Sequence, residues 1–249
     1  MKRIASPVFI VLIILAFVLS CSKNSSSTTN INTNTTLPDV FKKFNSSVTV
    51  STDGTWITIK SNGLPDHKSP YFATTDARYE AFNGSNVHFS LNPNRIAEQT
   101  LTFKIPLNPA ATATKQATPL GPIGVSVNGV PLFNQYAGPS QPLTSEINSF
   151  DQYNGHPQQS GQYHYHVEPL YITAQKGTNA LIGFLLDGYP VYGPVENGTT
   201  LVSSNLDVYH GHTGVTADYP NGVYHYHITA DASYINGNGF WGTPGTVTQ

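Results

Sequence analysis

Ile123-Gly-Val-Ser-Val-Asn-Gly-Val-Pro-Leu-Phe133 decides the fold, because the chain repeats the pattern 59 residues later as Ile182-Gly-Phe-Leu-Leu-Asp-Gly-Tyr-Pro-Val-Tyr192. In each copy Asn-Gly or Asp-Gly stands between two short apolar runs. That dipeptide accepts the positive φ angles of a tight turn, so each copy reads as a β-hairpin. Two further pairs follow in the same order. Asp151-Gln-Tyr-Asn-Gly-His156 returns as Asp207-Val-Tyr-His-Gly-His212, and Tyr163-His-Tyr-His166 returns as Tyr224-His-Tyr-His227. Their separations are 56 and 61 residues, so the length changes fall in loops. Residues 121–170 and 180–230 are therefore read as two copies of one β-rich unit, packed as a pseudo-twofold pair.

The rest of the chain fits that frame. Gly 21 and Pro 18, without any long periodic apolar segment, exclude a helical bundle or coiled coil. In the segment 37–120, Val48-Thr-Val-Ser and Trp56-Ile-Thr-Ile-Lys60 flank an Asp53-Gly54 turn, and Leu101-Thr-Phe-Lys-Ile105 alternates as a third strand. The aromatic tail, residues 231–249, reads as core closure. The expectation is an all-β domain over 37–249, sandwich or barrel-like, with little helix.

The first 36 residues stand apart. Lys2 and Arg3 precede the apolar run Val8–Leu19, which has the length of a secretory leader and is too short to span a bilayer, so 1–20 are read as a signal peptide. The only cysteine follows at once. Val18-Leu-Ser-Cys21 resembles the lipobox of a bacterial lipoprotein, which implies that Cys21 carries a lipid anchor and becomes the mature N-terminus. From Ser22 to Thr36, thirteen of fifteen residues are Ser, Thr or Asn. Such a segment buries too little apolar surface to offset chain entropy, so 21–36 are expected to be a tether with a reach of roughly 20 Å. The location expected is the bacterial cell envelope, on the outer membrane and facing the periplasm.

Charge narrows the partners. Lys+Arg number 12 and Asp+Glu 14, and beyond Leu107 only Lys115 and Lys176 face eight acids. A surface so poor in cations cannot neutralise a phosphate backbone, so nucleic acid is excluded as a partner and polyanions are poor substrates. Cations suit it better.

Seven of the nine histidines lie in the repeats: His156, His164, His166, His210, His212, His225 and His227. On a strand, Tyr-His-Tyr-His sends both imidazoles to one face and both phenols to the other. The Gly-His of the preceding loop, His156 or His212, supplies a third ring. His156, His164, His166, His212, His225 and His227 are thus candidate ligands for a transition metal, zinc or copper, either as one three-histidine site per copy or as one shared or dinuclear centre. The competing reading is a ladder of rings hydrogen-bonded within a sheet. Asp151 and Asp207 match across the copies. They either orient a ligand ring, bind the ion, or cap loop N–H groups. His210 replaces Asn154 and breaks the symmetry, as an extra ligand or a donor behind the site. His67 in a Pro-Asp-His loop reads as a loop anchor, with a seventh ligand or a pH-sensitive hydrogen bond as the alternatives, and His88 in a strand-like stretch reads as structural.

The repeated Tyr-His-Tyr-His, with Asn-Gly-Val-Pro and Leu-Asp-Gly-Tyr-Pro-Val-Tyr-Gly ahead of the two copies, resembles the YHYH-domain family of bacterial secreted proteins. The similarity reaches upstream to Ser61-Asn-Gly-Leu-Pro-Asp-His67 and Ile105-Pro-Leu-Asn-Pro109. The resemblance implies a domain and not an activity. It also implies cysteines near the Gly-His segments, where this chain has Tyr153 and Tyr209, so any metal site must use His, Asp, Glu, Tyr and water. No G-x-S-x-G elbow, usable cysteine or Gly-rich phosphate loop is present. Three readings remain: a metal-binding envelope protein, a hydrolase or copper oxidoreductase in the same site with Glu168 or Asp231 as base, and a carbohydrate-binding or adhesion module using exposed Tyr and Trp.

Overall fold

The computed structural model describes Met1 and residues 36–249. The signal peptide, Cys21 and nearly all of the tether therefore lie outside the described residues. In chain order the N-terminal strands are β1 (Thr49–Thr52), β2 (Trp56–Ser61) and β3 (Leu101–Pro106). The first copy holds β4 (Pro122–Ser126), β5 (Pro131–Phe133), β6 (Tyr136–Ala137), β7 (Gln141–Pro142), β8 (Gly155–Pro157) and β9 (Tyr163–Tyr165). After the short helix α1 (Leu170–Lys176), the second copy holds β10 (Leu181–Leu185), β11 (Pro190–Tyr192), β12 (Val195–Glu196), β13 (Thr199–Thr200), β14 (Gly211–Gly214) and β15 (Val223–His227). The last strand is β16 (Thr246–Thr248).

The main sheet has eight strands in the order β14-β15-β11-β10-β4-β5-β9-β8. Its two halves are the two copies in mirror order, joined by the antiparallel β4–β10 pair. Corresponding pairings recur. Leu132 of β5 lies parallel beside Tyr165 of β9, as Val191 of β11 does beside Tyr226 of β15. Both hairpins bulge at the same place, before Gly124 and before Gly183. Their turn glycines, Gly129 and Gly188, have φ of 86° and 84°, conformations that strain any residue with a Cβ.

A second sheet, β1-β2-β3-β16, carries the N-terminal segment. Its alternation puts Ile57, Ile59, Leu101, Phe103 and Ile105 into one continuous buried cluster with Ile123, Val125, Ile182 and Phe184 of the main sheet. Burying each such side chain fully is worth roughly 1.5–3 kcal/mol, so this shared core is the principal bond between the sheets. Polar pins add direction: Ser61 Oγ donates to Gly129 O at 2.7 Å, and Gly245 N–H to Leu186 O at 2.8 Å. The all-β expectation holds, with two sheets on one core. The barrel-like alternative does not, because the main sheet ends in β14 and β8, and no pairing between them closes it among the described residues.

Two local readings resolve on contact. The stretch Val87-His88-Phe89 is a turn and no strand: Asn86 Oδ1 accepts the His88 N–H at 2.9 Å, folding the backbone back, and His88 is exposed. The tail closes the core, with Ile235 and Phe240 buried and Trp241 stacked on Tyr224 at 4.4 Å. No helix among the described residues is long and apolar enough to cross a membrane.

Candidate metal centres

Antiparallel pairing builds the first cluster. β8 lies against β9 with His156 directly opposite His164, and His166, two residues on, shares the face. The Nε2 atoms of His156 and His166 each lie 3.0 Å from that of His164. The other side of every ring is already committed. His164 Nδ1 meets Gln162 O at 3.1 Å and His166 Nδ1 meets Asn134 O at 2.6 Å. A carbonyl only accepts, so both rings carry their proton on Nδ1 and turn a bare Nε2 lone pair inward. His156 is held alike: Ser149 Oγ donates to Glu146 O at 2.7 Å and so accepts from His156 Nδ1, also at 2.7 Å. The Glu146 carboxylate completes the group, 3.2 Å from His156 Nε2 and 4.0 Å from His166 Nε2.

The second cluster repeats the plan. β14 pairs with β15 so that His212 faces His225, with His227 beyond. His225 Nδ1 meets Val223 O and His227 Nδ1 meets Gly193 O, each at 2.9 Å, the counterparts of Gln162 and Asn134. Glu196 lies 3.3 Å from His212 Nε2, 3.2 Å from His225 Nε2 and 3.8 Å from His227 Nε2. Four buried side-chain polar atoms lack a hydrogen-bond partner among the described residues, and two of them are the Nε2 atoms of His212 and His227.

Each cluster brings three histidines and one glutamate together in an arrangement that could hold a metal ion. They are two centres and no shared one, since β11, β10, β4 and β5 lie between the two HxH strands. At about 4.8 Å per strand that is roughly 24 Å of sheet. Burial, followed by the neighbouring rings, pushes His164 well below the ordinary imidazole value. Burial also takes His166 and His227 down to about 4 and lowers His212. Neutral imidazoles are the form that binds a cation.

The tyrosines occupy the opposite face and explain the aspartates. Asp151 accepts from Tyr163 OH at 2.9 Å and from the N–H groups of Tyr153 and Gly155. Asp207 does the same for Tyr224 OH, Tyr209 N–H and Gly211 N–H. Both carboxylates cap the loop and anchor the first tyrosine of the motif. Neither joins a histidine cluster, which corrects the reading of them as partners of the ion or its ligand rings. The second tyrosine is anchored by the hairpin turn: Tyr165 OH lies 3.2 Å from Asn128 Nδ2, and Tyr226 OH donates to Asp187 Oδ2 at 2.7 Å.

His210 also stays outside. Its Nε2 meets Thr229 Oγ1 at 2.9 Å, and only its backbone O helps, by accepting the His227 N–H. His67 is a buried loop anchor, 3.1 Å from Tyr165 OH. Glu168 and Asp231, the bases expected from sequence, are elsewhere: Glu168 O accepts from Asn154, and Asp231 caps Ser203 N–H. The acids that do arrive, Glu146 and Glu196, are not equivalent in the repeat. Glu146 comes from a 3₁₀ turn, Glu146–Ser149, and Glu196 from β12. Their 50-residue separation matches none of the repeat offsets, so alignment of the copies gives no sign of them.

No curated protein and no solved structure matches this chain. A family model described as YHYH protein matches residues 102–204 and 197–239, which takes in both hairpins, both HxH strands and both glutamates. By that match, over more than half its length, the chain belongs to the YHYH family.

Proposed function

We propose that this protein is a metal-binding protein of the bacterial envelope, held there by a lipid on Cys21, with two separate sites of three histidines and one glutamate. The observation that carries the reading is the first cluster, where the Nδ1 atoms of His156, His164 and His166 are all engaged behind the rings. Three Nε2 lone pairs and a carboxylate then face one another across 3.0–4.0 Å with no proton to share. Such a group is repulsive unless a cation sits within it. A proton would have to charge a buried ring, which desolvation opposes.

Spacing and donor type suit a borderline transition metal. Four ligands about 2.0–2.2 Å from a tetrahedral ion stand roughly 3.3–3.6 Å apart, near the distances found here. Imidazole with carboxylate suits Zn²⁺ and Cu²⁺. His156, His164, His166 and Glu146 would hold one ion and His212, His225, His227 and Glu196 the other, and backbone carbonyls fix the tautomers of His164, His166, His225 and His227.

Elemental mass spectrometry on full-length protein tests this. Two transition-metal ions per chain are expected, one lost in His164→Ala and the other in His225→Ala. Protein grown in replete medium that carries no metal would end the proposal. The carbohydrate-binding reading draws little support, because Tyr136 is the only exposed residue among the described tyrosines and tryptophans.

A further inference from the structure

The two clusters share a donor set but not an environment. In the first, Phe133 stacks on His164 at 3.9 Å, and Phe150 lies 4.8 Å from His156. The His156 and His166 side chains are 4% and 2% exposed, and Glu146 is 27% exposed. In the second copy the same positions are Tyr192 and Leu206, and no ring among the described residues stacks on His225. Tyr192 stands edge-on to it at 5.5 Å and sends its hydroxyl away to Asp218 and Thr216. The His212 side chain is 33% exposed, and no hydrogen bond holds its ring from behind among the described residues.

A cavity of about 590 Å³ opens at this point, and Glu196, His225 and His227 lie in its wall. That volume falls in the range of small-molecule sites. Its charge is unusual for this chain. Of the two basic side chains beyond Leu107, Lys115 donates to Trp241 O and covers that indole, whereas Lys176 lines the cavity and makes no ion pair among the described residues. Lys43 lines it too but is paired with Asp218. A divalent ion beside Glu196 leaves one net positive charge, and Lys176 adds another at the wall. An anion is the complement of that field.

We propose that the second centre is a ligand site: the cavity admits a small oxyanion, of carboxylate or phosphate type, as a fifth donor to an ion on Glu196, His212, His225 and His227, whereas the cavity beside the first centre has Glu146 in its wall and none of that cluster's histidines. This rests on the metal-binding reading above. The first cluster ties β8 to β9 beneath two phenylalanines. In the second, Glu196, His225 and His227 share a cavity wall with the ammonium group of Lys176.

The test uses full-length protein loaded with Co²⁺, whose visible absorption responds to a change in its donors. Sodium acetate and inorganic phosphate are titrated separately at constant ionic strength, with cobalt counted by elemental analysis. Saturable change is expected in the wild type and in His156→Ala, and none in His212→Ala. The relative response to acetate and phosphate assigns the oxyanion type. Ala217→Phe, which fills the cavity wall without touching a ligand, should keep two ions and lose the response. Lys176→Ala should weaken it about two- to fivefold, the size of one partly screened charge interaction. Two retained ions with a spectrum indifferent to both anions, or a response that survives in His212→Ala, overturns the ligand site and leaves the metal reading standing. Protein that retains no cobalt overturns both.

Discussion

Val125 and Phe184 face each other across the β4–β10 pair and hold the same position in the two copies of the repeat. The pseudo-twofold axis passes between them, and the glycines on either side are related by it. A Cβ on Gly124 would lie 2.4 Å from Phe184 O, and one on Gly183 would lie 2.1 Å from Val125 O. The join between the copies is thus backbone against backbone, with no room for a methyl group.

Gly183→Ala should therefore force β4 and β10 apart and destabilise the domain by about 1–3 kcal/mol, as overpacking does in a dense core. Thermal unfolding measures it. An unchanged midpoint would mean that the join is looser than described.

Ser149→Ala removes the acceptor behind His156 without removing a ligand. Loss of such a support commonly lowers metal affinity about 10–100-fold. Competition with a chelator should show that loss at the first centre and unchanged affinity at the second, where no serine plays this part. Equal effects at both centres would contradict their independence.

The second tyrosine of each motif meets different partners, so the two Tyr→Phe changes should not cost the same. Tyr226→Phe leaves the buried Asp187 carboxylate without its hydroxyl donor, a penalty of about 1–3 kcal/mol. Tyr165→Phe removes a neutral contact with Asn128 and His67, worth about 0.5–1.5 kcal/mol. Denaturant midpoints for the pair decide it, and a reversed order would refute the assignment.

Acid should weaken the metal-free protein in a defined window. His166, His210 and His227 titrate near 4 when folded, chiefly through burial, against about 6.5 when unfolded. Between those values the unfolded chain binds more protons, so stability is fully present above pH about 6.5 and falls as pH drops toward 4, each ring contributing on the order of 3 kcal/mol. Unfolding free energy of chelated protein across that range is the measurement. A flat profile would show that these rings are not buried as neutral bases.

Much of this was legible in the sequence, and the reason is periodicity. The Asn-Gly and Asp-Gly hairpins, the alternation of Tyr-His-Tyr-His and the paired Gly-His loops all have local consequences that a strand enforces, so six ligand candidates fall into two groups of three. Glu146 and Glu196 were not legible because their placement depends on how a 3₁₀ turn and a two-residue strand fold over the sheet edge. Asp151 and Asp207 were left between ion and loop cap for a related reason. Repetition marks a residue as part of the unit, but only the face of the strand decides whether it serves the imidazoles or the phenols.

Both centres sit at the rims of the main sheet, on β8 and β14, where unpaired N–H and C=O groups would ordinarily recruit another chain. The rims are built to refuse one. β8 is three residues long and ends in Pro157, which has no N–H to offer, and β14 is bounded by Gly211 and Gly214. Short, interrupted borders, the β8 rim covered where Asn92 and Asn94 donate to Pro157 O, offer little for another strand to pair with and leave the outermost hairpins free to carry the histidine clusters.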